Sequence, residues 1–430
     1  MKLDIIDNHR SRFVPVPSDW HQRKMRFAVK SYQTNKNDDE NATVLSLTKK
    51  GLKVKTDLAF GKSTENYVGH QVVEQGQFVF TPRDFDATPI LCGVADTAGC
   101  ISNLYIVFDV APQIDARFLE FYFWGLKYGF DFFEKLSFGM RYSFNRTQFE
   151  NIPLLHPDLS TQREIADFLD RETARIDLLI EKKQKLVALL GEKWESAVEN
   201  AISTGGKRTK LGHHIDILSG YAFPSSDFST DPEDIPLLRG ANVAPSAIRW
   251  DDTVYWSRER LNEASRFLLS AGDVVLGMDR PWIASGIRVA ELTEQDVPAL
   301  LLQRVCRIKP RMTLDQQFMK LLLTSRQFLS YFEPIMTGVS VPHISPDQVS
   351  SFRFEYVERE EQVRRATMAG RERERIIRIQ KSSDKSIDRL KEYRSALITA
   401  AVTGQIDVTT YAKSGTNDRR LDAIQEEMGA

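Results

Sequence analysis

The chain of 430 residues has little cysteine and no long apolar run, and each shortage excludes a class of protein. Its three cysteines, Cys92, Cys100 and Cys306, are too few for a disulfide framework or a zinc ligand set, and they fit a reducing compartment. The apolar stretches fall far below the ~18 residues that a membrane span requires, and no signal-peptide core follows the charged N-terminus. We therefore predict a cytoplasmic protein without membrane spans.

Catalytic motifs are missing as well. Gly61-Lys62-Ser63 lacks the earlier glycine that a phosphate-binding loop needs, because Thr56 stands in its place. The seven histidines show no metal-ligand spacing, and no Gly-x-Ser-x-Gly nucleophile motif occurs. Asp279-Arg280-Pro281-Trp282 is similar to an amino-methyltransferase motif, but no Gly-x-Gly loop for a methyl donor accompanies it. These absences predict a non-catalytic protein that binds no metal or cofactor of its own.

What the sequence does contain is an internal repeat at a spacing of 199 to 200 residues. Asp115-x-x-Phe118-Leu119 returns as Asp315-x-x-Phe318-Met319. A segment that ends in Thr204-Gly205 returns as one that ends in Thr403-Gly404. This period is far longer than the 20–50 residues of solenoid repeats, so it indicates a duplicated domain.

Each copy of the repeat ends in a predicted helix of ~40 residues, which would be ~60 Å long. In residues 159–204, apolar side chains recur at spacings of three, four and seven, which is the pattern of a coiled-coil seam. Residues 358–403 repeat it. Because a lone amphipathic helix of this length cannot cover its apolar stripe, we expect the two helices to pair with each other in antiparallel orientation.

The regions before the helices contain short β-branched and aromatic runs between turns, which predict strands. The expected fold is α+β, with two globular domains separated by a pair of long antiparallel coiled-coil helices and related by a pseudo-two-fold internal repeat. The predicted parts are residues 1–157 (first globular domain), 158–206 (first helix), 207–357 (second globular domain), 358–408 (second helix) and 409–430 (C-terminal tail).

A net charge of −1 counts against nucleic-acid binding, because DNA-binding proteins usually carry a basic excess. The charge is uneven, however. Glu358–Gly404 contains twelve basic and eight acidic residues, whereas Leu159–Gly205 contains seven and nine. A local basic surface is sufficient to contact phosphates, so DNA remains a possible ligand.

The order of several short motifs resembles the specificity subunit of type I restriction–modification systems. The resemblance covers roughly residues 10–408. The motifs that carry it are Ser219-Gly220-Tyr221-Ala222-Phe223, Ile235–Val243, Ala271–Leu276, Thr337–Ser345, and the helix starts Gln162-Arg163-Glu164-Ile165 and Glu361-Gln362-Val363.

The resemblance implies a non-catalytic DNA-recognition subunit. Each globular domain would be a target-recognition domain that reads one half of a bipartite DNA sequence. The helices would set the spacing between the halves and dock two modification (methyltransferase) subunits, with two restriction (helicase–nuclease) subunits as further partners. Those partners would use S-adenosylmethionine, ATP and Mg, and this chain would bind none of them.

Candidate DNA contacts are polar residues near glycines and strand ends, because arginine donates to guanine or phosphate while serine and histidine position the backbone. They are Arg141, Tyr142, Ser143, Asn145, Arg146, Ser340, His343, Ser345, Arg83, Arg239, Asn242, Arg280, Gln303 and Arg304. Trp194 and Tyr393 flank the helical seam in equivalent positions and are candidate partner contacts, or else caps of the coiled coil.

Two other functions remain open from the sequence. A coiled-coil adaptor with two protein-binding heads would explain the duplication and the near-neutral charge, but not the ordered motifs. A self-sufficient methyltransferase would require the methyl-donor loop that the sequence lacks.

Overall fold

The computed structural model describes residues 2–5, 12–15, 17–48, 51–56, 67–83, 91–133, 145–284, 286–336 and 342–426. The chain divides into two units. Unit 1 comprises Met1–Lys185 together with Ser382–Ala430, and unit 2 comprises Leu186–Lys381. The division cuts both long helices, so each unit holds one globular region and part of each helix. Strands and helices occur in both units, which confirms the α+β class.

The sheets of unit 1 are antiparallel. Its strands are β1 (Lys2–Ile5), β2 (Arg12–Pro15), β3 (His21–Lys24), β4 (Val29–Tyr32), β5 (Leu45–Thr48), β6 (Gly51–Val54), β7 (Gln71–Val73), β8 (Phe78–Phe80), β9 (Cys92–Val94), β10 (Gly99–Ile101), β11 (Ile106–Val110) and β12 (Pro153–His156). A four-stranded sheet has the order β4-β11-β8-β9. β3 pairs with β12, which leads directly into the first long helix.

Unit 2 has the strands β13 (Lys207–Lys210), β14 (Ile215–Ser219), β15 (Ile235–Leu238), β16 (Val243–Ala244), β17 (Ala247–Ile248), β18 (Tyr255–Trp256), β19 (Leu268–Leu269), β20 (Val274–Gly277), β21 (Trp282–Ile283), β22 (Gly286–Ile287), β23 (Val289–Glu291), β24 (Ala299–Leu301), β25 (Val305–Pro310) and β26 (Arg353–Tyr356). One sheet has the order β14-β25-β20-β23, and a second has the order β18-β15-β24-β19. β13 pairs with β26, as β3 does with β12 in unit 1.

The helices are α1 (Ala116–Phe130), α2 (Arg146–Glu150), α3 (Leu159–Ile202), α4 (Leu261–Ala264), α5 (Gln316–Thr324), α6 (Arg326–Met336), α7 (Pro346–Ser351), α8 (Arg359–Val402), α9 (Val408–Lys413) and α10 (Thr416–Glu426). α3 and α8 are the long helices, of 44 residues each. α9 and α10 follow α8 and belong to unit 1.

Apolar clusters cover both faces of the sheet β4-β11-β8-β9. Successive side chains of a strand point to opposite faces, so neighbouring residues of β8 enter different clusters. Phe78 and Phe80 of β8 face a buried aromatic cluster in which Phe123 of α1 lies 5.8 and 4.9 Å from their ring centroids. Val79, between them, packs into a second cluster with Leu45. This two-sided burial explains why β8 is apolar throughout.

The 200-residue repeat is confirmed in the described elements. α3 begins at Leu159 and α8 at Arg359, and β12 and β26 show the same offset. Asp115 and Asp315 are the N-caps of α1 and α5, and the side chain of each accepts a hydrogen bond from a backbone N–H in the first helical turn. The duplication therefore extends to individual capping interactions.

The long helices pair within each unit, as predicted. In unit 1, Arg394 of α8 lies 2.9 Å from Asp177 of α3. In unit 2, Lys193 lies 2.5 Å from Glu372, and Arg365 donates to the carbonyl of Ala201 at 3.3 Å. Residues that come later in α3 contact residues that come earlier in α8, so the two helices are antiparallel.

The C-terminal segment packs onto unit 1. The side chain of Leu421 in α10 is fully buried in the main cluster of that unit. Asn417 donates to Glu172 of α3, and Asp418 pairs with Arg175. A carboxylate that interrupts the apolar seam of α3 thus has its partner in the tail.

Candidate nucleic-acid interface

Four residues of unit 2 form a charged group that we name the Asp279 cluster, consisting of Asp279, Arg280, Arg304 and His343. Arg304 donates to Oδ2 of Asp279 at 2.8 Å. Nδ1 of His343 lies 2.6 Å from Oδ1, and because a carboxylate only accepts, the histidine N–H donates. Two residues predicted from the sequence to contact DNA therefore bind one carboxylate, and a third, Arg280, directly follows Asp279 in the chain.

Backbone pairing holds the cluster at one end of β20 and β25, the two central strands of the sheet β14-β25-β20-β23. The N–H of Arg280 donates to the carbonyl of Pro342 at 2.7 Å, and the N–H of Ile344 donates to Met278 at 2.9 Å. These two bonds join the segment after β20 to the segment before α7. The side chains of the cluster are thereby fixed on a short, paired piece of backbone rather than on a free loop.

Arg280 and Arg304 have left-handed backbone conformations, with φ of 44° and 68°. Only a few per cent of non-glycine residues have positive φ, because Cβ then crowds the backbone. Such conformations cost about 1 kcal/mol or more, and they concentrate at functional sites. Both arginine side chains are exposed at these turns.

The electrostatics of the cluster leave a positive excess. Burial alone would raise the pKa of Asp279, but hydrogen bonds from His343 and Arg304 hold it below its usual value of 3.8. The carboxylate is therefore ionised at neutral pH and balances one of the two guanidinium groups. The side chain of Arg304 remains 60% exposed, and only its Nη1 donates to Asp279, so its other N–H groups can bind a phosphate while the ion pair persists.

Two other candidates in unit 2 have structural partners. Asn242 is buried, accepts from the backbone N–H of Arg239 at 3.0 Å and donates to the carbonyl of Arg249 at 2.8 Å. The guanidinium of Arg239 pairs with Asp252 at 2.9 Å. Gln303, by contrast, is exposed and directly precedes Arg304 in the cluster.

In unit 1, Arg146 forms a smaller charged group with Tyr32 and Glu150. Its guanidinium carbon lies 3.4 Å from the centroid of the Tyr32 ring, and its Nε lies 3.2 Å from Glu150. The Tyr32 hydroxyl donates to Glu150 at 3.0 Å. Burial, followed by this hydrogen bond, raises the pKa of Tyr32 to about 12. The arginine is 61% exposed and stacked on an aromatic face, which fixes its orientation.

Asn145 and Ser345 occupy equivalent positions and share a capping role. Each side-chain oxygen accepts from the backbone N–H three residues later, of Gln148 at 2.8 Å or of Gln348 at 3.2 Å. Each glutamine side chain in turn accepts from the cap backbone, so both form capping boxes at α2 and α7. These polar atoms are therefore engaged within the fold.

The remaining candidates differ in what the structure describes. Arg83 is exposed, and its carbonyl accepts from the Thr81 hydroxyl at 3.2 Å. Arg141, Tyr142, Ser143 and Ser340 lie outside the described residues.

The two candidate partner contacts have different surroundings. In unit 2, Arg373 stacks over Trp194, with its guanidinium carbon 4.7 Å from the ring centroid. In unit 1, the hydroxyl of Tyr393 lies 3.1 Å from that of Tyr411 and also donates to Asn417. Tyr393 is therefore tied to the C-terminal segment.

Sequence reasoning missed Asp279 and Tyr32 as site residues. In the sequence, Asp279 belongs only to a methyltransferase-like motif, and its contacts lie 25 and 64 residues away in the chain. Tyr32 precedes its arginine by more than a hundred residues. No local pattern signals contacts at such separations.

The described part of the chain contains neither a cluster of potential metal ligands nor a candidate membrane-spanning helix. No group of three or more His, Cys, Asp or Glu side chains there could hold a metal ion. No helix in these ranges is both long and apolar enough to cross a membrane.

Comparison with known proteins points to one family. A family model for the type I restriction modification DNA specificity domain matches residues 32–188. The type I restriction enzyme EcoAI specificity subunit of Escherichia coli is 33% identical over 184 residues, which are 43% of this chain and 30% of that protein. The MjaVIII specificity subunit of Methanocaldococcus jannaschii is 27% identical over 277 residues, or 60% and 63%. Both matches span less than two thirds of the relative.

The fold has a counterpart among solved structures. A chain from a type I restriction–modification system, solved to explain complex assembly and conformational transition, superposes with a TM-score of 0.70. It covers 91% of this chain and 100% of its own length at 15% identity, which supports a shared fold. Together with the sequence matches, this confirms the resemblance to type I specificity subunits.

Proposed function

We propose that this relative of the type I specificity subunits is the DNA-recognition subunit of a restriction–modification complex. Each globular region reads one half of a bipartite target, and the long helices set the spacing. The observation that carries the proposal is the recurrence, 200 residues apart, of the same caps and helix starts. This recurrence makes unit 2 a second copy of the unit that matches the DNA specificity domain.

The chemistry of the complex belongs to its partners under this proposal. Two modification subunits dock on the helices and methylate DNA with S-adenosylmethionine, and restriction subunits use ATP and Mg. The chain itself has no catalytic role, and it acts in the cytoplasm, where the DNA is. The related proteins are named specificity subunits, which supports the division of labour.

The Asp279 cluster supplies a physical basis for DNA contact in unit 2. Two exposed arginines on a paired backbone can bind neighbouring phosphates or a guanine edge. The carboxylate of Asp279 orients Arg304 before DNA arrives, so less side-chain entropy is lost on binding. In unit 1, Arg146 is pre-oriented by the Tyr32 ring in a similar way.

The rival adaptor function is not favoured by the comparisons. An adaptor would need apolar surfaces on its globular regions for protein partners, whereas the Asp279 cluster of unit 2 presents two exposed arginines. It would also give no reason for the match to a DNA specificity domain.

The test is long-read methylome sequencing of the host with and without this gene. We expect one bipartite motif with a fixed spacer to be methylated only when the gene is present. A methylome that does not change on deletion, in a host that expresses the modification partner, would refute the proposed function. Radiolabelled methyl transfer by the purified chain alone would instead support a self-sufficient methyltransferase.

A further inference from the structure

A buried glutamine stands near the start of each long helix, at Gln162 and Gln362, and neither side chain is exposed to solvent. The Oε1 atom of Gln162 accepts from the backbone N–H of Asp115 at 2.9 Å. Its Nε2 atom donates to the carbonyls of Gln113 at 3.1 Å and Pro157 at 2.9 Å.

Gln362 repeats this arrangement in unit 2. Its Oε1 accepts from the N–H of Asp315 at 2.8 Å, and its Nε2 donates to Thr313 at 3.1 Å and Val357 at 2.7 Å. All three hydrogen bonds recur at an offset of 200 residues. Exposed residues differ between the copies, as the replacement of Arg117 by Gln317 shows, so this recurrence points to a function that both copies need.

Each glutamine connects three segments of its unit. In unit 1, these are the start of α3, the link from β12 into α3, and the turn before α1. Asp115 takes part twice, because its N–H binds the glutamine and its side chain caps α1. Gln162 of α3 therefore binds Asp115, and Asp115 in turn caps α1, so these two residues link the long helix to the first helix of the globular region.

We call the contact between a globular region and the start of its long helix the joint. Hydrogen bonds restrict the angle at this joint more sharply than apolar packing does. The hydrophobic effect depends on buried area and has no preferred direction, and packed apolar side chains alone leave a scatter of about 15–20° in the angle between elements. Hydrogen bonds weaken steeply when distance or angle departs from the optimum. Three of them around one buried side chain leave little freedom for rotation about the joint.

We propose that Gln162 and Gln362 are positioning residues that fix the orientation of each recognition region on its long helix and thereby restrict the complex to one spacer length. The inference rests on the proposed function. A globular region of about 150 residues has a radius of gyration of ~15 Å. A rotation of ~13° about the joint moves a point at that radius by ~3.4 Å, which is one base-pair step of B-DNA.

The test replaces Gln362 by methionine or by glutamate in the full chain, expressed with its modification subunit in a host without other methylation. Methionine keeps an unbranched side chain of similar length but removes all three hydrogen bonds. Glutamate keeps the oxygen that accepts from Asp315. The control is Leu300→Ala, which removes a fully buried side chain from another apolar cluster of unit 2.

The readout is the spacer distribution of methylated sites across the host genome, since a merely structural role would not move it. We expect the unaltered chain to direct methylation to sites with one spacer length. Gln362→Met should add sites whose spacer is one base pair shorter or longer, at about a tenth of the original frequency or more. A tenfold ratio corresponds to ~1.4 kcal/mol of discrimination between spacer lengths. Gln362→Glu should add fewer, and Leu300→Ala should lower methylation without adding any.

Methylation confined to the original spacer in both glutamine variants would overturn the inference. If Gln362→Met does not accumulate as a folded chain, Gln362→Glu decides by the same criterion. Loss of all methylation in both would make the glutamine a folding determinant only, and would also overturn the inference. A chain without substitutions that methylates no bipartite motif would contradict the proposed function itself, so the two failures are distinguishable.

Discussion

Replacing both Arg280 and Arg304 by alanine should weaken DNA binding in a manner that depends strongly on salt. Both side chains are exposed, and each sits on a backbone turn held by pairing to neighbouring segments. If each guanidinium neutralises one phosphate, its removal eliminates the release of about one counterion on binding. The effect does not need the target sequence, because phosphate contacts are independent of sequence.

The magnitude follows from counterion release. Each phosphate contact contributes about 0.9 to the slope of log K against log salt, so two contacts contribute about 1.8. Between 50 and 200 mM salt, this slope difference corresponds to roughly a twelvefold change in the ratio of the two binding constants. In the double variant, Asp279 keeps only His343 as a partner, and its carboxylate would repel the DNA phosphates. The change of about 1.8 in the salt slope is therefore a lower bound.

The assay is fluorescence anisotropy with a 30-base-pair duplex of arbitrary sequence, titrated at several salt concentrations. Arg311→Ala is the matched control, because Arg311 is also exposed, at 50%, and forms an ion pair with Asp216. Arg311 directly follows β25, whereas Arg304 directly precedes it, so the two arginines lie at opposite ends of that strand. Equal salt slopes for the double variant and the unaltered chain, or an equal loss in Arg311→Ala, would remove the Asp279 cluster from the DNA interface.

Two further predictions concern unit 1. Leu421→Ala should destabilise this unit by about 2–5 kcal/mol because the side chain is fully buried. Leu104→Ala makes the same change at a 50% exposed residue of the same unit and should alter stability by only about 0.5 kcal/mol. The same urea midpoint for both variants would contradict the packing of the tail. Burial raises the pKa of Glu120 from 4.5 to about 7, against hydrogen bonds from Trp124 and Val94. The fold therefore favours the protonated acid, and this contribution is complete below pH 4.5 and is lost as pH rises to about 7. In the unaltered chain, the free energy of unfolding should therefore fall by roughly 3 kcal/mol across that window, and Glu120→Gln should abolish this fall. Urea unfolding at pH 5 and 8 measures it, and the same fall in both proteins would refute the assignment.

Local sequence patterns predicted the regular elements well, because their determinants are local. The strand at Phe78–Phe80 coincides with one of the short aromatic runs of the sequence. The apolar segment Phe118–Leu126 lies within the helix Ala116–Phe130, which is preceded by its aspartate cap and followed by Asp131 in the left-handed conformation. The long helices end within a few residues of the predicted positions, since glycine and the loss of apolar periodicity mark the ends.

Contacts between distant residues were beyond such patterns. Glu172 interrupts the apolar seam of α3 and reads locally as a solvated charge, yet it is buried and bound by Asn417, 245 residues later. The capping roles of Asn145 and Ser345 were within reach, because each is followed three residues later by glutamine, which is the capping-box pattern. DNA contact by these two residues stays a prediction beside their capping role.

The comparison of the two units also bears on what each can read. The joints are duplicated closely, with the same capping aspartates and the same buried glutamines. The polar surface groups are not. Arg146 and Glu150, which surround Tyr32 in unit 1, correspond at the 200-residue offset to Pro346 and Ser350. Because base discrimination depends on which donors and acceptors face the groove, a shared scaffold with different polar groups implies that the two halves of the target differ in sequence. Under the proposed function, the methylated motif should therefore be asymmetric rather than palindromic.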